Sequence, residues 1–286
     1  MASLHTVVLS SSNEHADMER GSLFFIGTAT VLLRYAGFTL LTDPNFLHMG
    51  DHIHIGYGLR TERQTNPAIN IEDLPPLDLI VLSHMHEDHF DRLVMRKMNK
   101  MVPIVTTPQA VKTLGKKGFR RTYPLTMWQT LTMMKGESQL SITAMPGKHG
   151  PGLVNNLLPP VMGSMLEFTT PADKQALRLY ISGDTLMHKE LAEIPKRYPD
   201  IDLALLHLGG TKVMGILLTM DAKQGVEAVK LINAREIVPI HYNDYKVFKS
   251  PLDDFKRAVT KAGLEKRVRY INRGETYTFE VPASRR

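Results

Sequence analysis

The nine residues Ser83-His84-Met85-His86-Glu87-Asp88-His89-Phe90-Asp91 place three histidines and three carboxylates directly after the apolar run LDLIVL. That run reads as a strand buried on both faces. His84 and His86 at its end share a face, because side chains two apart on a strand point the same way. Asp88 and His89 follow once the chain has turned. So many ligand-type groups at the end of a rigid strand demand a fold that gathers strand ends on one rim around a polar cleft.

Three later strand ends carry the same chemistry. His149 follows SITAMPGK, Asp184 follows LYISG and His241 follows EIVPI. The chain has no cysteine, so a bound metal must be held by His, Asp and Glu. The offset between the His84/His86 pair and the Asp88/His89 pair suits two metals better than one. His84, His86 and His149 are the candidate ligands of the first metal; Asp88, His89 and His241 are those of the second, with Asp184 as the bridge. This count leaves coordination positions for a shared water, as a catalytic site requires.

Around these residues the pattern predicts a mixed α/β chain. SLFFIG, TVLLRYAG and FTLLTDP form an opening meander, with Gly37 at a hairpin turn. A polar, His- and Gly-containing loop over 46–76 is long enough to be functional rather than a connector. VPIVTT, QLSITAMPGKH, VMGSMLEF, LRLYISGDT, IDLALLHLGG and EIVPIHY read as further strands. Helices are expected from Pro108, across TMDAKQGVEAVKLI, and across SPLDDFKRAVTKAG with Ser250 as N-cap and Gly263 at the end. No compositional break divides the chain. The expectation is one domain over residues 1–286, a four-layer αββα sandwich, with 1–21 a poorly structured or peripheral N-terminal segment.

Composition narrows the function classes. With 286 residues and 43% hydrophobic content the chain can build a large core. No apolar run reaches the roughly 18 residues of a membrane span, and the first residues lack the layout of a signal peptide, so a cytoplasmic location is expected. The net charge of +6 is spread along the chain apart from short clusters such as Lys116-Lys117 and Arg120-Arg121. Those clusters read as solvated surface, and no nucleic-acid partner is expected from them. The pair Met133-Met134 reads as soft core filling.

The ordered set HMHEDH, PGKHG, SGDT and PIHYND, together with FIGTATVLLRYAGFTLLTDP, resembles the metallo-β-lactamase superfamily, whose H-x-H-x-D-H signature is His84, His86, Asp88 and His89 here. The match runs from about Ser22 to Tyr277. Within that superfamily the chain is most similar to the branch containing N-acyl-phosphatidylethanolamine-hydrolysing phospholipase D and L-ascorbate-6-phosphate lactonase. The resemblance implies the αββα fold, the seven metal ligands already singled out and a hydrolase of small molecules. It also places the 46–76 loop at the mouth of the cleft.

The remaining polar residues carry alternatives. Asp43 in LLTDP caps a turn or orients a metal-bound histidine from behind, in preference to ligating directly. Asp91 caps the next helix. His48, His52 and His54 are candidate substrate contacts, or else belong to a solvated loop. His207 is a hydrogen-bonded rim residue or a substrate-side proton donor, and His188 reaches the cleft or lies on the surface.

Two divalent ions, zinc in first place with manganese or iron as alternatives, would bring a shared water near neutral pKa for attack on an ester-type bond: a phosphodiester, a lactone or a relative. Asp88 would orient that water and take up its proton. The expected substrate is a small, anionic molecule, with homo-oligomerisation left open. A nucleic-acid-processing nuclease and a non-catalytic metal-binding regulator are the alternatives. The first lacks a recognisable nucleic-acid-binding arm, and the second would be missing a ligand, which this chain is not.

Overall fold

The structure is a computed structural model that describes residues 5–10, 17–55, 58–171, 173 and 176–281. Two seven-stranded sheets form its centre. One runs in the order His5–Leu9, Thr130–Lys135, Ser138–Met145, Gly163–Thr169, Leu177–Ile181, Leu203–His207, Glu236–Ile240. The other runs Thr276–Glu280, Arg20–Gly27, Thr30–Tyr35, Phe38–Thr42, Leu79–Val81, Ile104–Thr106, Thr122–Pro124.

Alternation along the strands builds four layers. Leu203 and Leu205 face the inter-sheet core with Leu23, Phe25, Leu79 and Val81, whereas Ala204 and Leu206 face outward. There they pack with Val229 and Ile232 of the helix Ala222–Ile232 and with Phe255 and Val259 of the helix Leu252–Lys261. On the second sheet Ile80 and Leu82 turn outward, toward Val94 of the helix Arg92–Lys97 and Leu114 of the helix Pro108–Lys116. A strand covered on both faces must be apolar at every position, which is why LDLIVL and IDLALL lack polar alternation. The αββα sandwich expected from the sequence is the architecture observed.

Local chemistry sets several boundaries. The hairpin joining Thr30–Tyr35 to Phe38–Thr42 turns through Ala36 and Gly37, both at positive φ (49° and 83°), so a glycine at the second position removes a steric penalty. Asp91 caps its helix by accepting from the backbone N–H groups of Leu93 and Val94. Ser250 does not cap the last helix. It ends the strand Phe248–Ser250 and accepts from the N–H of Ala222, while Pro251 occupies the N-cap position. His5–Leu9 is an edge strand parallel to Thr130–Lys135, and Arg20 begins a long strand; residues 1–4 and 11–16 lie outside the described residues. The 46–76 loop contains a small hairpin, His52–His54 with Arg60–Glu62, and a 3-10 turn at Ile71–Asp73. Among the described residues no helix is long and apolar enough to cross a membrane.

Candidate metal centre

The parallel strands Phe38–Thr42, Leu79–Val81, Leu177–Ile181, Leu203–His207 and Glu236–Ile240 end at one rim, and their next residues supply the site. His84, His86 and His149 form one group, and Asp88, His89, Asp184 and His241 a second. Within each group the potential ligand atoms lie within 4.8 Å of one another. All seven residues singled out from the sequence are therefore brought together.

The hydrogen bonds on the far side of each ring fix which nitrogen is bare. His149 Nδ1 donates to the carbonyl of Leu218 (3.0 Å) and His241 Nδ1 to that of Leu208 (3.1 Å), because a carbonyl only accepts. His89 Nδ1 faces Asp43 Oδ2 at 3.1 Å. The Ser83 hydroxyl donates to Asp43 Oδ2 at 2.9 Å, which leaves its oxygen to accept from His84 Nδ1 at 3.0 Å. The Nε2 atoms of these four imidazoles thus face the cleft, and each carries a lone pair there when its ring is neutral. His86 presents Nδ1 instead, 2.9 Å from His84 Nε2 and 3.2 Å from His149 Nε2. In the second group His89 Nε2 lies 3.2 Å from Asp184 Oδ2, and His241 Nε2 lies 3.4 Å from Asp88 Oδ2 and 3.6 Å from Asp184 Oδ1.

These groups fit metal ions on three counts. Tetrahedral bonds of about 2.0–2.1 Å separate neighbouring ligand atoms by roughly 3.3 Å, close to the spacings above. Among the described residues His89 Nε2 and Asp184 Oδ1 are fully buried and have no hydrogen-bond partner, a costly arrangement for polar atoms unless a cation satisfies them. The electrostatics agree. Burial, reinforced by the neighbouring rings, pushes His84 well below the ordinary histidine pKa and His86 down to about 3, so both stay unprotonated. Burial would raise Asp88, but His89 and His241 outweigh it and hold its pKa at about 2. Burial also opposes a charge on His89, yet Asp184, Asp88 and Asp43 together drive it well above its usual value, so this end of the cleft calls for positive charge. The charge of Asp184 acts on all five histidines, as a central carboxylate would.

Asp43 sits behind the site. Its carboxylate accepts from the N–H and hydroxyl of Ser83 and faces both His89 and His207. Burial would raise it; the two histidines prevail and keep its pKa at about 2. Asp43 is at φ 33°, Thr28 at 52° and His241 at 61°, so left-handed backbone collects where the ligands are aimed.

The candidate substrate contacts separate. His54 lines the cleft together with Ile55, Leu158, Val213, Leu218 and Val247, and its Nδ1 is held by Glu87 (3.2 Å). His48 bonds to Asn70 and His52 offers its carbonyl to Arg92; neither lines the cleft. His207 is fully buried, stacked on His89 at 5.8 Å and bonded to Asp43, so it cannot touch a substrate and its proton-donor reading is withdrawn. His188 caps a 3-10 turn beside Glu190, outside the cleft lining. Ser83 and Glu87 were missed, although both lie inside the motif. A serine between a strand and its first ligand and a glutamate between two ligands carry no signal until their partners Asp43 and His54 are placed.

With the geometry in hand, relatives identify the family. The family model described as the beta-lactamase superfamily domain matches residues 39–242. A UPF0173 metal-dependent hydrolase of Ignicoccus hospitalis is 31% identical over 250 residues, covering 82% of this chain and 96% of the relative. N-acyl-phosphatidylethanolamine-hydrolyzing phospholipase D 1 of Caenorhabditis elegans is 25% identical over 234 residues, covering 77% of this chain and 63% of that protein. Among solved structures, isothiocyanate hydrolase from Delia radicum gut bacteria superposes with a TM-score of 0.76 at 22% identity, over 91% of this chain and all (100%) of the other, a likeness of fold. The chain belongs to the beta-lactamase superfamily and is a metal-dependent hydrolase with the metallo-β-lactamase fold.

Proposed function

We propose that this chain is a dinuclear hydrolase that cleaves an ester-type bond, a phosphodiester or a lactone, in a small anionic molecule. His84, His86 and His149 would hold one divalent ion, Asp88, His89 and His241 the other, and Asp184 both. Imidazole and carboxylate donors suit Zn2+, with Mn2+ and Fe2+ as alternatives. When bound, the ions would supply Lewis acidity, a lowered water pKa and an excess of positive charge that attracts anions. The observation that carries this reading is the pair of buried atoms His89 Nε2 and Asp184 Oδ1, which face the ligand set with no hydrogen bond among the described residues.

The chain's own residues supply the rest. Asp88 Oδ2 lies against His241, and its ionised carboxylate is placed to orient a water and accept its proton. His54, with Nδ1 donating to Glu87, has Nε2 left to bind the substrate at the mouth. Leu158, Val213 and Leu218 exclude solvent and accommodate an apolar portion of the substrate. The N-acyl-phosphatidylethanolamine-hydrolyzing phospholipase D activity named for the nematode relative supports an ester of phosphate as the first substrate to try.

The test is a panel of phosphodiesters, lactones and β-lactams offered to metal-reconstituted protein, in wild-type and Asp88→Asn forms. Turnover of a phosphodiester or lactone that falls at least about 100-fold in Asp88→Asn at equal metal content is expected. Turnover of β-lactams alone, or undiminished turnover in the variant, would count against the reading.

A further inference from the structure

A second buried charge cluster lies outside the metal ligands. Arg63, from the 46–76 loop, is fully buried, and among the described residues no carboxylate comes within ion-pair distance of it. Its Nε donates to the carbonyl of Thr65 (3.0 Å) and its Nη1 to Asn45, but Nη2 has no hydrogen-bond partner among the described residues. Arg273, in the turn before Thr276–Glu280, pairs through Nη2 with Asp244, while its Nε is buried and also without a partner. Both orphaned donors border one spot. The point that a Cβ of Gly27 would occupy is 3.0 Å from Arg273 Nε and 3.3 Å from Arg63 Nη2.

We infer that Arg63 and Arg273 form a binding site for a small monovalent inorganic anion of the chloride class, seated over Gly27. Charge balance argues for an anion rather than a water. The one buried carboxylate at this place, Asp244, is taken by Arg273, the N–H of Thr28 (2.8 Å) and the hydroxyl of Thr65, which leaves Arg63 without a counter-ion of its own. The positive charge of Arg63, a fully buried side chain, is therefore left over. A water would satisfy the N–H groups and leave that charge uncompensated, whereas a halide satisfies both. Any side chain at position 27 would project against both arginines.

The site is wired to the metal-ligand loop. Asn45, which receives Arg63, donates from Nδ2 to the carbonyl of Glu87 (2.9 Å), and Thr28, held by Asp244, accepts from the N–H of His241 (2.6 Å). An anion at this point therefore steadies the two segments that carry Asp88 and His241.

The direct test is anomalous diffraction from crystals of the metal-loaded protein in which chloride is exchanged for bromide. A bromide peak in contact with both Arg63 Nη2 and Arg273 Nε is expected; an ordered water or no density there overturns the proposal. In solution, the melting temperature of the metal-loaded chain should be about 2–4 °C higher in sodium chloride than in sodium gluconate at matched ionic strength, and this difference should vanish in Arg63→Met. Equal melting temperatures of the wild-type chain in the two salts overturn the proposal whether or not the variant folds.

Discussion

Asp43 shows how much of the centre depends on a residue that need not touch a metal. One carboxylate receives the N–H and hydroxyl of Ser83 and faces the rings of His89 and His207, and through Ser83 it also fixes the tautomer of His84. A carboxylate behind a ligating histidine sets ring orientation and basicity. Asp43→Ala should therefore weaken metal binding by about 10–100-fold, measured by competition with a chromophoric chelator, while the circular dichroism spectrum is retained. Unchanged affinity would show that the backbone alone aims His84 and His89. At this scale the sequence was most informative about the ligands, because each follows an apolar strand and its chemistry is unmistakable once four such ends recur. It left His207 open between a hydrogen-bonded rim residue and a proton donor. Whether a strand-end histidine lines a cleft or underlies it depends on which neighbour is stacked on it, and here that neighbour is His89.

Elements place these side chains, and the turns after the strands are the most demanding parts. Gly183, just before Asp184, has φ 62°, and a Cβ there would sit 2.8 Å from the carbonyl of Met162 and 3.2 Å from Ser83 Cβ. Gly183→Ala should cost about 1–3 kcal/mol in urea unfolding of the metal-free chain and lower the metal content as Asp184 is displaced. A variant as stable and as metal-rich as wild type would mean that the turn relaxes freely. Strands covered on both faces were legible as apolar runs, and so was the hairpin at Gly37, whose turn chemistry is local. His5–Leu9 was not legible. Its pairing with Thr130–Lys135 spans more than a hundred residues of sequence, and nothing in a short edge strand announces a distant partner. Ser250 misled for a related reason: it has the composition of a cap, but its hydroxyl is engaged by Ala222 from another helix.

For the molecule as a whole, two sheets and their outer helices form a scaffold whose hydrophobic layers run up to the rim where the ligands begin. The rim gathers buried carboxylates and imidazoles that are poorly compensated on their own, so occupancy of the centre and stability of the fold are linked. Chelation should lower the melting temperature along with the turnover, and adding metal back should restore both. The decisive measurement is a titration of the chelated protein with Zn2+, reading hydrolytic turnover against equivalents of metal per chain. Two ions held by the seven converging residues require turnover to rise until two equivalents and then level off; activity that is complete at one equivalent, or that persists without metal, would contradict the dinuclear centre.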